Sequence, residues 1–113
     1  MSRDWHDYLA DMRLACEKVS RYVGGREREP FLADEMAYDA VLRNLEILGE
    51  AAKHIPADVR ARMPGVAWRE IAGMRDWLAH AYFKADDGIV WNAVAVEVPL
   101  LFQALQAFED QTS

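Results

Sequence analysis

Apolar residues recur along this chain at intervals of three and four, the spacing of helices with one buried face. In the first segment Trp5, Tyr8, Leu9, Met12, Cys16, Val19 and Val23 keep that spacing up to Gly24-Gly25. Ser2 suits the N-cap of this helix, because a hydroxyl can accept from the unpaired first-turn amides, and the glycine pair can end it in left-handed backbone. A second helix opens at Pro30, whose fixed φ fits a first helical turn. It carries Phe31, Tyr38, Val41, Leu42, Leu45, Leu48, Ala52 and Ile55 and stops at Pro56. The pattern then predicts a short helical turn over 57–63, a third long helix over about 66–83 and a fourth over about 87–108. In the fourth, Val90, Val94, Val98, Leu101, Leu105 and Phe108 form one stripe. Pro99, which lacks an amide hydrogen, should kink it. No alternating strand pattern, repeat, linker or low-complexity tract breaks the series. The expectation is a single all-α domain over 1–113, four-helix bundle-like, with a short extra helical turn between the second and third long helices.

Composition sharpens this. With 113 residues, 52% of them apolar, the chain can bury roughly two thirds of its unfolded surface and needs no disulfide or metal staple. A single cysteine, Cys16, cannot form an internal disulfide and fits a reducing compartment. The longest apolar stretch, 89–102, is interrupted by Asn92, Glu97 and Pro99 and is shorter than the roughly 20 residues that span a bilayer, so no membrane span is expected. The acidic, amphipathic start of the chain lacks the form of a secretory signal, and the expected location is the cytoplasm.

A net charge of -6 argues against a protein that coats nucleic acid electrostatically. The charge is uneven, however. Between 58 and 84 lie Arg60, Arg62, Arg69, Arg75 and Lys84 against Asp58, Glu70 and Asp76, whereas 85–113 holds acidic residues and no Lys or Arg. Any anion site belongs in the 58–84 region.

The third helix carries the candidate chemistry. With Arg75 at zero on a wheel of about 100° per residue, Ile71, Met74, Trp77, Leu78 and Ala81 share a core face between about 200° and 320°. The other side holds Arg75, Asp76, Arg69, His80 and Trp68 among the small residues Ala72, Gly73 and Ala79, where a solvated face would carry Lys and Glu. Asp76 and His80 are four apart, so the carboxylate can orient the imidazole and support its charged form. Arg75 offers a planar, permanently charged set of donors suited to phosphate. Trp68 on this face reads as a dimer contact. On the second helix Glu50 and His54 form another i, i+4 pair. Glu50 is a candidate partner for Arg75; Glu50, His54, Asp76 and His80 together would be a metal site, although the paired Glu-x-x-His of di-metal bundles is missing.

Arg75-Asp76-Trp77-Leu78-Ala79-His80-Ala81-Tyr82 matches an R-x4-H-x-Y motif. Arg43-Asn44-Leu45-Glu46-Ile47-Leu48-Gly49-Glu50-Ala51-Ala52, Trp68-Arg69-Glu70-Ile71-Ala72-Gly73-Met74, and Tyr82-Phe83 with Trp91 accompany it in order. Together they resemble the HepT-like toxins of the HEPN (higher eukaryotes and prokaryotes nucleotide-binding) superfamily over nearly the whole chain. The resemblance implies a HEPN fold and a metal-independent endoribonuclease that takes no cofactor. Its RNA site, in a homodimer cleft, would be built on Arg75 and His80; from the residues themselves, Asp76 is a candidate support for them, with Glu50 and Arg69 as candidates behind. Asp76 stands where the wider superfamily often has Asn. The resemblance also implies an MNT-type (minimal nucleotidyltransferase) antitoxin that transfers AMP onto Tyr82. Read from the residues alone, Tyr82 sits at the edge of the core face and is equally explained by a packed ring with a wet hydroxyl. Two rivals remain: a non-catalytic HEPN module that holds a nucleotide or a partner, and a helical dimerisation domain whose polar face is only an interface.

Overall fold

The computed structural model of the chain describes residues 3–79 and 86–112. Helix α1 (Trp5–Val23) is capped by Asp4, whose carboxylate accepts from the amides of His6 at 2.8 Å and Asp7 at 3.3 Å, while Asp7 accepts from the Asp4 amide at 3.2 Å. This reciprocal box replaces the cap expected at Ser2, which lies outside the described residues. A carboxylate accepts two amides at once and favours the positive end of the helix dipole. The Gly24 amide closes the other end on the Ser20 carbonyl at 2.9 Å with φ of 62°, a conformation that a Cβ would strain.

The predicted second helix is two. Helix α2 (Arg28–Ala33) precedes α3 (Glu35–Ala52), and between them Asp34 is extended. Its carboxylate caps α3 by accepting from the Ala37 amide at 3.1 Å and takes a 2.8 Å bond from Arg26. That guanidinium, together with the capping amide, holds the Asp34 carboxyl below its ordinary range. Helix α4 (Ala57–Ala61) is the expected extra turn, and α5 (Trp68–Ala79) is the described part of the third long helix.

The last helix starts at Asp86, which caps α6 (Asp87–Asn92), passes through a π-helical turn (Ala93–Glu97) and continues as α7 (Val98–Thr112). The Val98 amide reaches back five residues to the Ala93 carbonyl. The wide turn lies immediately before Pro99, the residue expected to disturb this helix, which cannot donate a backbone amide. Near its start Tyr38 on α3 donates to the Asp87 carboxylate at 3.0 Å. From Asp87 to Gln111 this helix is long and apolar enough to cross a membrane. Its stripe of Val90, Val94, Val98, Leu101, Leu105 and Phe108 is buried in the bundle core instead.

Helix α1 packs on α3 and on the last helix, and α3 packs on α5. Met12, Cys16, Phe31, Leu45, Leu48, Ile71 and Leu101 are among the side chains sealed between them. Burial pushes the Cys16 thiol up to about 12. No strand occurs among the described residues, and the architecture is the all-α domain expected.

Candidate active site

The site begins with a glycine. At Gly49 on α3 an added Cβ would lie 2.7 Å from the Arg75 amide nitrogen, 2.9 Å from the Arg75 Cβ and 2.9 Å from the Ile71 carbonyl oxygen. Helix α5 therefore crosses α3 in backbone contact, and the crossing is centred on Arg75. The next residue of α3, Glu50, meets Arg75 Nε at 3.2 Å through one carboxylate oxygen, while the other lies 3.6 Å from His54 Nε2. Asp76 accepts from Lys53 Nζ at 2.8 Å and lies 3.8 Å from Arg75 Nη1. A line of alternating charge thus runs Glu50, Arg75, Asp76, Lys53, with His54 beside Glu50.

Arg75 is about two-fifths exposed and Glu50 half exposed, so water screens this line and it orients more than it stabilises. With Nε turned to Glu50 and Nη1 towards Asp76, the Nη2 end has no hydrogen-bond partner among the described residues. Arg75 lines a groove of about 270 Å³ between α1, α3 and α5, where Arg3, Tyr8, Asp11, Arg43 and Glu46 also line the wall. A planar cation fixed along one edge and open at the other is prepared for a phosphate oxygen.

Of the residues singled out in the sequence, the structure joins Arg75, Asp76 and Glu50. His80 and Tyr82 lie outside the described residues. Arg69 is exposed and forms no ion pair among the described residues. Trp68 overturns its expectation as a dimer contact: it is buried, with its indole N–H on the Met63 carbonyl at 3.2 Å. The wheel failed there because α5 begins at Trp68, where the chain arriving from α4 covers the face that is open further along the helix. Ala72 is half-buried against the core, while Gly73 is open. No group of three metal-ligating side chains is clustered among the described residues.

Sequence reasoning missed the role of Lys53 and the stack at the groove's end, where the Tyr8 and His54 rings lie 4.1 Å apart and 7° from parallel and the Arg3 guanidinium sits 4.6 Å from the Tyr8 centroid. Gly49 was visible as a glycine inside a run of helix formers, the usual sign of a close backbone approach. The Tyr8 and His54 contact had no signal, since it joins α1 to the turn after α3, 46 positions away.

The family model described as ribonuclease HepT-like matches residues 12–108. The chain is 43% identical over 101 residues to "Probable ribonuclease HepT" of Thermococcus cleftensis, covering 89% of this chain and 92% of that one. It is 40% identical over 94 residues to a "Putative RNase" of Caldanaerobacter subterraneus, covering 83% and 84%. A "Putative RNase" of Methanocaldococcus jannaschii is 37% identical over 97 residues, covering 86% and 80%. No solved structure matches the chain. With a whole-domain family match and relatives aligned along nearly their full length, the chain belongs to the ribonuclease HepT-like family of the HEPN superfamily.

Proposed function

We propose that this protein is the toxin of a toxin-antitoxin pair, a metal-independent endoribonuclease of the cytoplasm whose site combines Arg75 with His80 in the cleft of a homodimer. The observation that carries the reading is the Arg75 guanidinium, gripped by Glu50 at the Gly49 crossing and lining the groove. The relatives' names add the substrate class.

In the reaction the 2'-oxygen of one ribose attacks the neighbouring phosphorus and the P–O5' bond breaks. The products are a 2',3'-cyclic phosphate and a free 5'-hydroxyl. One histidine takes the 2'-OH proton and a second protonates the leaving 5'-oxygen, which an imidazole with a pKa of about 6.5 does well in either sense. Each chain has one motif histidine, so a two-fold axis supplies the pair. Arg75 neutralises the charge that grows on the phosphorane oxygens.

The test is cleavage of RNA in the presence of EDTA. Activity should persist with the chelator and be lost in Arg75→Ala and His80→Ala with the helical fold intact, and light scattering should give a dimer at micromolar concentration. Equal activity in His80→Ala would sink the mechanism. RNA binding without cleavage in the unaltered protein would favour the non-catalytic module.

Control is the second half of the proposal. An MNT-type nucleotidyltransferase with ATP and magnesium is expected to add one or more adenylyl units to Tyr82, two residues past His80. Each adds bulk and an anion, which would compete for the positive charge that RNA needs. Mass spectrometry of Tyr82 after incubation, with cleavage falling in parallel, tests this. A Tyr82→Phe protein still neutralised by the partner would reduce the inhibition to binding.

A further inference from the structure

The stack at the groove's end is unusual in composition and position. Tyr8 has the Arg3 guanidinium at 4.6 Å and the His54 ring at 4.1 Å. Two planar groups thus pack against its ring. The His54 side chain is 45% exposed, and with Tyr8 against one face that exposure falls on the other face and the ring edges. The outer face of His54 is a flat, supported aromatic surface open to solvent.

One carboxylate joins this surface to the reacting centre. Glu50 reaches His54 at 3.6 Å with one oxygen and Arg75 at 3.2 Å with the other, so the ring stands a single carboxylate away from the guanidinium that would hold the cleaved phosphate. In the other direction α3 carries Arg43, eight residues before Ala51 and about 12 Å along the helix axis, on the wall of the same groove. Arg43 is 69% exposed and has only a 3.7 Å contact with Glu46, which leaves most of its five donors unused. The groove wall thus carries the cations Arg75 and Arg43 beside Asp11, Glu46 and Glu50, and the His54 stacking face lies next to it, joined through Glu50. A single-stranded nucleic acid is matched by that combination of aromatic surface and fixed positive charge.

We propose that the groove between α1, α3 and α5 and the His54 ring beside it hold the single-stranded RNA flanking the cut, with a base stacked on His54 and a phosphate further along the strand on Arg43. The proposal rests on the ribonuclease reading of Arg75 and extends it to substrate binding. Stacking is tolerant of base identity, so this subsite grips the strand without reading its sequence. Arg3 and Tyr8 act behind His54 by holding its ring flat.

The test uses the full-length protein and a short 2'-O-methyl RNA oligonucleotide, which lacks the attacking hydroxyl, so that binding is read without cleavage. His54→Ala should weaken binding about fivefold or more, with little change in salt dependence, as loss of a stacked base predicts. Arg43→Gln should weaken binding and lower the slope of log affinity against log salt by about one, as loss of one phosphate contact predicts. Arg28→Gln, on exposed α2, makes the same change in net charge and should alter neither. His54 and Arg43 are exposed, so their variants should keep the parent melting temperature.

Unchanged affinity in both groove variants overturns the proposal even if the protein cleaves RNA. Groove-dependent binding by a protein that cleaves nothing would uphold the proposal and remove the ribonuclease reading on which it was built. Equal weakening by Arg28→Gln would reduce the effect to overall charge and also overturn it.

Discussion

Arg75 is asked to do two things with one side chain: hold Glu50 through Nε and meet phosphate through its far edge. Lysine concentrates its donors on one nitrogen and lacks the two separated edges of a guanidinium, so Arg75→Lys should lose nearly as much activity as Arg75→Ala, on the order of a hundredfold in kcat. Glu50→Gln keeps the shape and removes the charge that fixes the guanidinium. Because the pair is half exposed and worth about 1 kcal/mol or less, the expected loss is several-fold, read as kcat on a saturating RNA. Asp76 places a negative charge 3.8 Å from Arg75, held there by Lys53. Asp76→Asn should therefore tighten RNA binding a few-fold at low salt, an effect that shrinks as salt is added. The Arg75 and Glu50 pairing could be anticipated from residue types on two predicted helices. Lys53 with Asp76 could not, because a contact between helices depends on the crossing angle and the rotation of each, which spacing within one helix does not carry.

At the scale of elements, the α3 and α5 crossing is set by the absence of a side chain. Gly49→Ala drives a Cβ into the Arg75 backbone, and neither backbone can yield locally, so α5 must move as a body. An overpacking cost of about 1–3 kcal/mol is expected, seen as a melting temperature lower by several degrees, together with a loss of activity as Arg75 shifts from the groove. The three-and-four spacing made the long helices legible and placed the extra turn between the second and third. It could not show the break at Asp34, since the apolar spacing runs straight through, and the cap there is visible only once Asp34 is known to be extended. The π turn was equally hidden: Val94 and Val98 keep an ordinary helical interval although the turn between them is wide. That turn lets one helix serve different partners. Trp91 and Asp87 meet Phe31 and Tyr38 before it, and Phe108 meets Trp5 and Arg62 after it.

Across the whole molecule, Tyr38 and Asp87 pin the start of the last helix to α3. Burial and the Asp87 carboxylate push the Tyr38 hydroxyl up from 10.0 to about 12. A group whose folded value is raised contributes its full stability below the unfolded value and loses it as pH rises through the folded one. Stability from Tyr38 should thus hold to about pH 10 and fall away towards about pH 12. In Tyr38→Phe that part of the alkaline decline should vanish, checked by denaturant melts across the range. At this scale the bundle could be read from composition and spacing, while the groove could not: its walls come from residues as far apart as Arg3 and Arg75, joined only when three helices are packed.

Cys16 has a final consequence. One thiol, 1% exposed and reluctant to ionise, is stoppered inside the bundle on α1. A thiolate-seeking reagent can react there only when the helices part, so the rate of labelling counts openings of the molecule one at a time. The native chain thus carries its own clock for opening, with no engineered label. If RNA or a partner grips α1 and α3 together, that clock should slow in proportion to occupancy, whether or not anything is cut.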